Sequence, residues 1–508
     1  MPASALATLL GAACPPVQGR PGLPPAVLTE QALCRGGDSR IRLGAEGRNA
    51  YACPPRPEPG LLAWGSSTAS VVSEAGFAAA RELHQRLLVD SQAGWVAAQR
   101  IRSDIGLLSG AARVPGTEVV LAASGTDVHL IATQLQPRQG RALHVLMAEP
   151  GETGRGVSAA LAGCHFDDST CQGRAVSARQ PLDGLDGQFL EAVALRQDDG
   201  ALRCAAEVDA SFHDRAVSAL CQGRQVLLVL TDLSKTGLLA PSPASVSRLQ
   251  AEWPGRLQVL VDACQFRLSE ASVADYLTRG WLVALTGSKF VGGPAFCGAL
   301  LLPPSTAARA RSLTLAGLGA YSCRTDWPAT WLAAQVLPPE ANAGLLLRWE
   351  AALCELRAFR ALPPGWVAQA VRLWGEAISA RVTASPWLQG LSAPALQRVE
   401  PGWDAWPTIF PFALQAWRAD GVCRPLSPQE TAGLHRALRR GEGPSGRAVQ
   451  LGQPVACGRR DGLERSALRV CIGLRNLCEA AQTADGLQRG LHDIEQVFDE
   501  IEGLLRRL

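Results

Sequence analysis

Short, predominantly apolar runs recur between about residues 115 and 305: Val119 to Ala123, Leu143 to Met147, Val226 to Leu230, Leu257 to Val261, Leu282 to Leu285 and Ala299 to Leu302. Runs of this length that do not alternate with polar residues read as strands buried on both faces. The stretches between them carry apolar residues at helical spacing, as in Val128, Ile131 and Leu135. Strand and helix in alternation predict an α/β domain with a largely parallel sheet. Upstream, a helical pattern runs from about Glu74 to Val89, and the hydroxyl-rich Gly65 to Ser70 before it reads as a helix cap. From about residue 340, helix-like segments alternate with shorter strands, one being Ala467 to Ile472, and a helix rich in Glu, Asp and Arg follows about Asp493. That pattern predicts a smaller carboxy-terminal α+β domain. Residues 1 to about 60 are rich in Pro and Gly and read as an extended arm. The expected division is therefore an arm over 1–64, a large domain over 65–335 and a smaller domain over 336–508.

Composition narrows the function classes. A chain of 508 residues with 47% hydrophobic content can bury more than one core. A net charge of +3 provides no field for nucleic acid, so a small-molecule substrate is expected. The 15 cysteines form no CxxC pair and no Cys/His cluster at ligand spacing, which argues against a metal site and a redox dithiol. Reduced thiols in this number fit the cytoplasm. Met1 to Cys14 is apolar but lacks the charged start of a signal peptide, and no run is long enough to span a membrane. Among 49 basic residues only Lys235 and Lys289 are lysine. Where a charge serves only solubility or ion pairing the chain uses arginine, so a lysine is expected where an amine must lose its proton and attack a carbonyl.

Three places carry candidate chemistry. Ser124-Gly125-Thr126 lies between a strand and a helix, where free N–H groups and the helix dipole favour a phosphate; the alternative is an ordinary Ser/Thr cap. Asp262 closes the run Val259 to Val261, at the strand end where open α/β sheets bind ligands. A carboxylate there can keep a heteroaromatic nitrogen protonated, and Gln265 is within reach of a neighbouring ring oxygen; otherwise Asp262 caps a turn. Lys289 follows the next strand, beside Ser288 and ahead of the Gly292-Gly293-Pro294 turn.

In this order, Val261-Asp262-Ala263-Cys264-Gln265 followed by Thr286-Gly287-Ser288-Lys289-Phe290-Val291-Gly292-Gly293-Pro294 resembles the class V aminotransferase and cysteine desulfurase group of pyridoxal-phosphate enzymes. The resemblance covers roughly residues 65 to 480 in the order of elements. It implies the type I fold, pyridoxal 5'-phosphate as cofactor, an aminotransferase-like activity and a homodimer. It also implies that Lys289 forms the Schiff base and shuttles protons, that Asp262 pairs with the pyridine nitrogen and that Gln265 reaches the phenolic oxygen. Ser124, Gly125, Thr126 and Ser288 would hold the phosphate.

The polar segment Thr231 to Gly237 corresponds to one that lines the cofactor edge in similar enzymes, which puts Thr236 there. Lys235 precedes Asp262, whereas the lysine of the group follows it, so Lys235 is expected on the pocket wall. Arg469 alternates with Leu468 and Val470 on a late strand and is a candidate for the substrate carboxylate. The chain departs from the desulfurases in lacking a His after Leu143 to Met147 and before Lys289. Desulfuration is therefore not implied, and only Glu152 and Thr153 are candidates to stack on the ring. Transamination, beta-elimination and decarboxylation stay open, as does a non-catalytic binding module. Gly441 to Gly446 matches GxGxxG but follows a helical pattern, so it is expected to be a loop.

Overall fold

A computed structural model describes residues 24–137, 140–183, 188–392, 394–400, 402–417, 421, 423–460 and 462–508; Met1 to Cys14 lies outside them. A short strand, β1 (Leu62–Ala63), precedes the helices Glu74–Val89 and Ala93–Ser109. Then come β2 (Glu118–Ala122), β3 (Leu143–Ala148), β4 (Phe189–Val193), β5 (Gln225–Asp232), β6 (Leu239–Ala240), β7 (Leu257–Ala263), β8 (Leu282–Thr286) and β9 (Gly298–Leu302). They form one sheet in the order β2-β9-β8-β7-β5-β3-β4, with β6 paired to β5. The pairs β8–β7, β7–β5, β5–β3 and β3–β4 are parallel, and β9 runs antiparallel to both β8 and β2.

The six predicted strands are all present. Sequence reading missed β4 and β6. Edge strand β4 is mostly accessible, with Phe189 44% exposed, so it lacks the continuous apolar run that marks a strand covered on both faces. Successive residues of β5 enter opposite cores: Val226, Leu228 and Leu230 face one hydrophobic layer, Leu227 and Val229 the other.

The second sheet comprises β10 (Leu388–Gly390), β11 (Ile409–Trp417), β12 (Cys423–Pro425), β13 (Val449–Gln450), β14 (Gly452–Arg460) and β15 (Leu463–Cys471), except that β13 pairs in parallel with β1. Its order is β10-β11-β15-β14 with β12 on β11, all antiparallel. The predicted strand Ala467 to Ile472 is the second half of β15, and the closing helix starts at Gly486, before the expected Asp493. Helix Ala343–Arg360 is buried over most of its length and packs on Glu74–Val89 and Ala93–Ser109. Gly441 to Gly446 is a loop, as expected. No helix among the described residues is long and apolar enough to cross a membrane.

The arm differs from its expected extended form. It contains the helix Pro25–Leu33, with proline at its first position, where the missing N–H costs no hydrogen bond. Tertiary contact holds this segment: the fully buried guanidinium of Arg348 donates to the carbonyls of Leu33 at 3.0 Å, Arg35 at 2.5 Å, Gly36 at 2.9 Å and Phe296 at 2.6 Å. A pattern confined to the arm holds no trace of a donor more than 300 residues away. Replacing Arg348 with leucine leaves four carbonyls without their donor. We expect a loss of about 3 kcal/mol or more in urea unfolding, with proteolysis near residues 34–50 becoming faster; an unchanged midpoint would show that the clamp is not needed.

Candidate active site

A cavity of about 260 Å3 opens where β5, β7 and β8 end and the helix Gly125–Gln134 begins. It gathers eight of the residues singled out by sequence: Ser124, Gly125, Thr126, Lys235, Asp262, Ser288, Lys289 and Arg469. The location is the one that parallel strands dictate, because β5, β7 and β8 all end at the edge where the helix starts.

The Ser124 hydroxyl accepts from the N–H groups of Thr126 at 3.1 Å and Asp127 at 3.3 Å, so the ordinary cap is present. The same helix start also faces the cavity. A Cβ at Gly125 would lie 2.9 Å from Cys264 Sγ and 3.0 Å from Thr286 Cγ2, so this turn requires glycine to reach the strand ends. Arg40 also lines the wall, tied to Asp38 by a paired ion contact and 3.4 Å from Thr126 Oγ1. Burial, followed by the Asp38 charge, pushes the Asp127 carboxyl up to about 7.

Asp262 is buried, and its Oδ2 lies 3.3 Å from His129 Nε2. The two form an ion pair when the imidazole is protonated. His129 Nδ1 lies 2.6 Å from the Gly125 carbonyl, one helical turn back. Burial alone would raise the Asp262 carboxyl, but His129, Lys289 and the Cys264 thiol together hold it well below the usual carboxylate range. Burial opposes a charge on His129 as well, and the Asp262 carboxylate overrides it and raises the imidazole.

Lys289 sits in a pinned turn. Its carbonyl accepts from Ser70 Oγ at 3.1 Å and from the Gly292 N–H at 3.0 Å, and Gly292 takes φ +92° to close that turn. Across the cavity the Lys235 N–H donates to the Glu152 carbonyl at 2.9 Å, and the Lys235 carbonyl accepts from Arg469 Nη1 at 3.2 Å. Arg469 is buried and also donates to Thr68 Oγ1 at 3.1 Å.

Two predicted residues do not reach the wall. Thr236 is buried with its hydroxyl donating to Glu152 at 2.7 Å and accepting from Arg196 at 2.9 Å. Gln265 spends its Nε2 on the Ser67 carbonyl at 3.0 Å, and its Oε1 is buried without a partner. Neither Glu152 nor Thr153 faces the cavity, and Glu152 instead forms a buried pair with Arg196. Gly154, Arg155 and Val157 take the wall at that point.

The cap assigned to Gly65 to Ser70 is a correction. Ser73 caps the helix, accepting from Gly76 N–H at 2.9 Å, and this leaves Ser67 and Thr68 for the cavity wall. Sequence reading also missed Arg40, Tyr51 and His129. Only His129 carried a local signal, a titratable residue one turn after Gly125.

Neither a protein-family model nor a curated protein matches the chain. Solved structures do. A cystine C-S lyase, C-DES, in complex with its product cysteine persulfide superimposes with a TM-score of 0.51 at 15% identity, covering 87% of this chain and 98% of that one. The fold is that of the type I pyridoxal-phosphate enzymes. A variant of the same lyase with glycine covalently linked to its PLP cofactor gives 0.52 at 14% identity, over 87% and 97% of the two chains. TDC from Oryza sativa with PLP gives 0.50 at 12%, over 87% and 84%.

The coupling of Asp262 and His129 has a definite pH signature. With His129 raised, the stabilisation from the pair is complete below about pH 6.5, the ordinary imidazole value, and is lost as pH rises through the elevated one. In Asp262→Asn burial and the Lys289 charge lower His129, and only the Gly125 carbonyl opposes them. The His129 NMR titration midpoint is expected to move from above about 6.5 to below it, and an unmoved midpoint would refute the coupling.

Proposed function

We propose that the chain is a pyridoxal-phosphate-dependent enzyme acting on an amino acid or related amine, covalently attached to its cofactor through Lys289 and of lyase type. The reading rests on one convergence: the Lys289 amine, the Asp262 carboxylate and the helix start at Ser124 all face a single cavity. The residues fit the group. An ionised, buried carboxylate suits a protonated ring nitrogen, and the helix start beside Arg40 suits a phosphate. The cofactor, when bound, supplies a ring that draws electrons from bonds at the substrate's alpha carbon.

Each residue then has a task of its own. Asp262 keeps the ring nitrogen protonated, and His129 holds Asp262 ionised and in place. The Ser124 to Thr126 turn and Ser288 bind the phosphate. Gln265 acts from behind the wall by fixing the Ser67 carbonyl. Arg469, immobilised by Lys235 and Thr68, orients the substrate carboxylate. Lys289 takes and returns the proton at the alpha carbon. The reading includes a homodimer, as the family resemblance implies.

A lyase is favoured over the aminotransferase that the sequence motifs first suggest. The cystine C-S lyase is similar over almost its whole length, and the cavity contains a second amine beyond Lys289.

Purified protein supplied with pyridoxal phosphate is expected to turn yellow, and borohydride reduction followed by peptide mass analysis is expected to place the added mass on Lys289. Lys289→Ala should abolish both the colour and the adduct. A protein that stays colourless, or an adduct on Lys235, would overturn the assignment.

A further inference from the structure

We propose that Lys235 is a second catalytic amine of this cavity, delivering a proton to the group that leaves the substrate's beta carbon. The inference deepens the lyase reading and rests on it.

The first observation is one of residue choice. Of 49 basic residues two are lysines, and both line the same cavity. Elsewhere the chain meets its need for positive charge with arginine. A fixed charge to anchor an anion would be served as well or better by a guanidinium, which binds carboxylates through two parallel hydrogen bonds. What a guanidinium cannot do near neutral pH is give up a proton. A lysine retained at this position therefore points to proton transfer, the same argument that singles out Lys289.

The second observation is placement. The main chain of Lys235 is held on both sides, by the Glu152 carbonyl and by the Arg469 guanidinium. Lys235 and Arg469, the group proposed to hold the substrate carboxylate, line the same cavity. Among the described residues no carboxylate forms an ion pair with the Lys235 ammonium. Glu152, the acid whose charge acts on this amine, turns its oxygens to Arg196, Ser234 and Thr236. Burial, then the Arg469, Lys289 and Arg155 charges, lower the amine to about 8, with Glu152 opposing. Such an amine changes protonation state under working conditions, as a general acid must.

The step balances without a further reactant. Lys289 has taken the alpha proton. The bond from the beta carbon to the leaving atom breaks, and that atom keeps the bonding electron pair. It accepts the proton from Lys235 Nζ and departs as a neutral thiol, alcohol or water. Lys235 remains as a neutral amine and regains its proton from solvent.

The test exploits leaving groups that differ in their need for that proton. Holoenzyme is given S-methyl-L-cysteine, whose thiolate must be protonated, or beta-chloro-L-alanine, whose chloride leaves unaided, and pyruvate release is measured. Lys235→Arg and Lys235→Gln are both expected to slow the first reaction by about 100-fold or more, and the second by less than about tenfold. If Lys235→Arg keeps the first rate, Lys235 is an anchor and the inference falls while the lyase reading stands. Equal loss with both compounds in both variants makes Lys235 architectural, with the same consequence. Wild-type holoenzyme that eliminates from neither compound overturns the lyase reading together with this one.

A second readout is independent of turnover. In the holoenzyme Lys289 is blocked, so pulse acetylation with acetic anhydride followed by peptide mass analysis titrates Lys235 alone among the lysines. Half-maximal reactivity at least a pH unit below the ordinary lysine value of about 10.4 is expected; an ordinary midpoint overturns the proposal.

Discussion

Positive charge gathered in a confined space without matching carboxylates is the constraint on which the rest of the site depends. Arg40, Arg155, Lys235, Lys289 and Arg469 line the cavity, and Asp262 is the one carboxylate on its wall. Among the described residues, Arg40 is the one of these cations that forms an ion pair, with Asp38. Removing unpaired charges from water costs several kcal/mol each. The arrangement therefore favours an occupant that brings negative charge, such as a phosphate and a carboxylate. It also accounts for the state of Asp262, a buried group that stays ionised because cations surround it.

The same economy of arginine governs the scaffold. Buried guanidinium groups serve as junctions that donate to carbonyls from remote segments. Arg348 holds the arm in this way, and Arg267 joins Thr408, Ile472 and Ser66 at distances of 3.3, 2.7 and 2.8 Å. Arg469 links β15 to the turn after β5 and to Thr68. Arg267 and Arg469 bring the segment after β1, the large sheet and the second sheet against one another, and the cavity lies where they meet. A point charge on a flexible stem could not satisfy as many carbonyl directions at once.

Much of the fold was legible because buried parallel strands write themselves as continuous apolar runs, and six of those in the large sheet were recognised. Edge strand β4 escaped because exposure removes that signature. The cap expected at Gly65 to Ser70 was misplaced for a different reason. Any Ser or Thr before a helix satisfies the local rule, and only the three-dimensional structure shows that Ser73 does the capping while Ser67 and Thr68 turn to the cavity. Thr236 and Gln265 illustrate the reverse error, since position in a motif says nothing about which neighbour a hydroxyl or amide will bond.

By itself the sequence determined six apolar strands, the strand-end carboxylate, the helix-start turn and the rarity of lysine. All of these are local or compositional, set by apolar period, turn chemistry and the proton chemistry of an amine. Tertiary structure alone decided that Lys235 and Lys289 share one cavity, that His129 stands against Asp262, that Arg40 reaches in from the arm and that Glu152 is consumed by Arg196. Each of those contacts joins residues separated by dozens to hundreds of positions, and their energy depends on burial and distance, which no window along the chain contains.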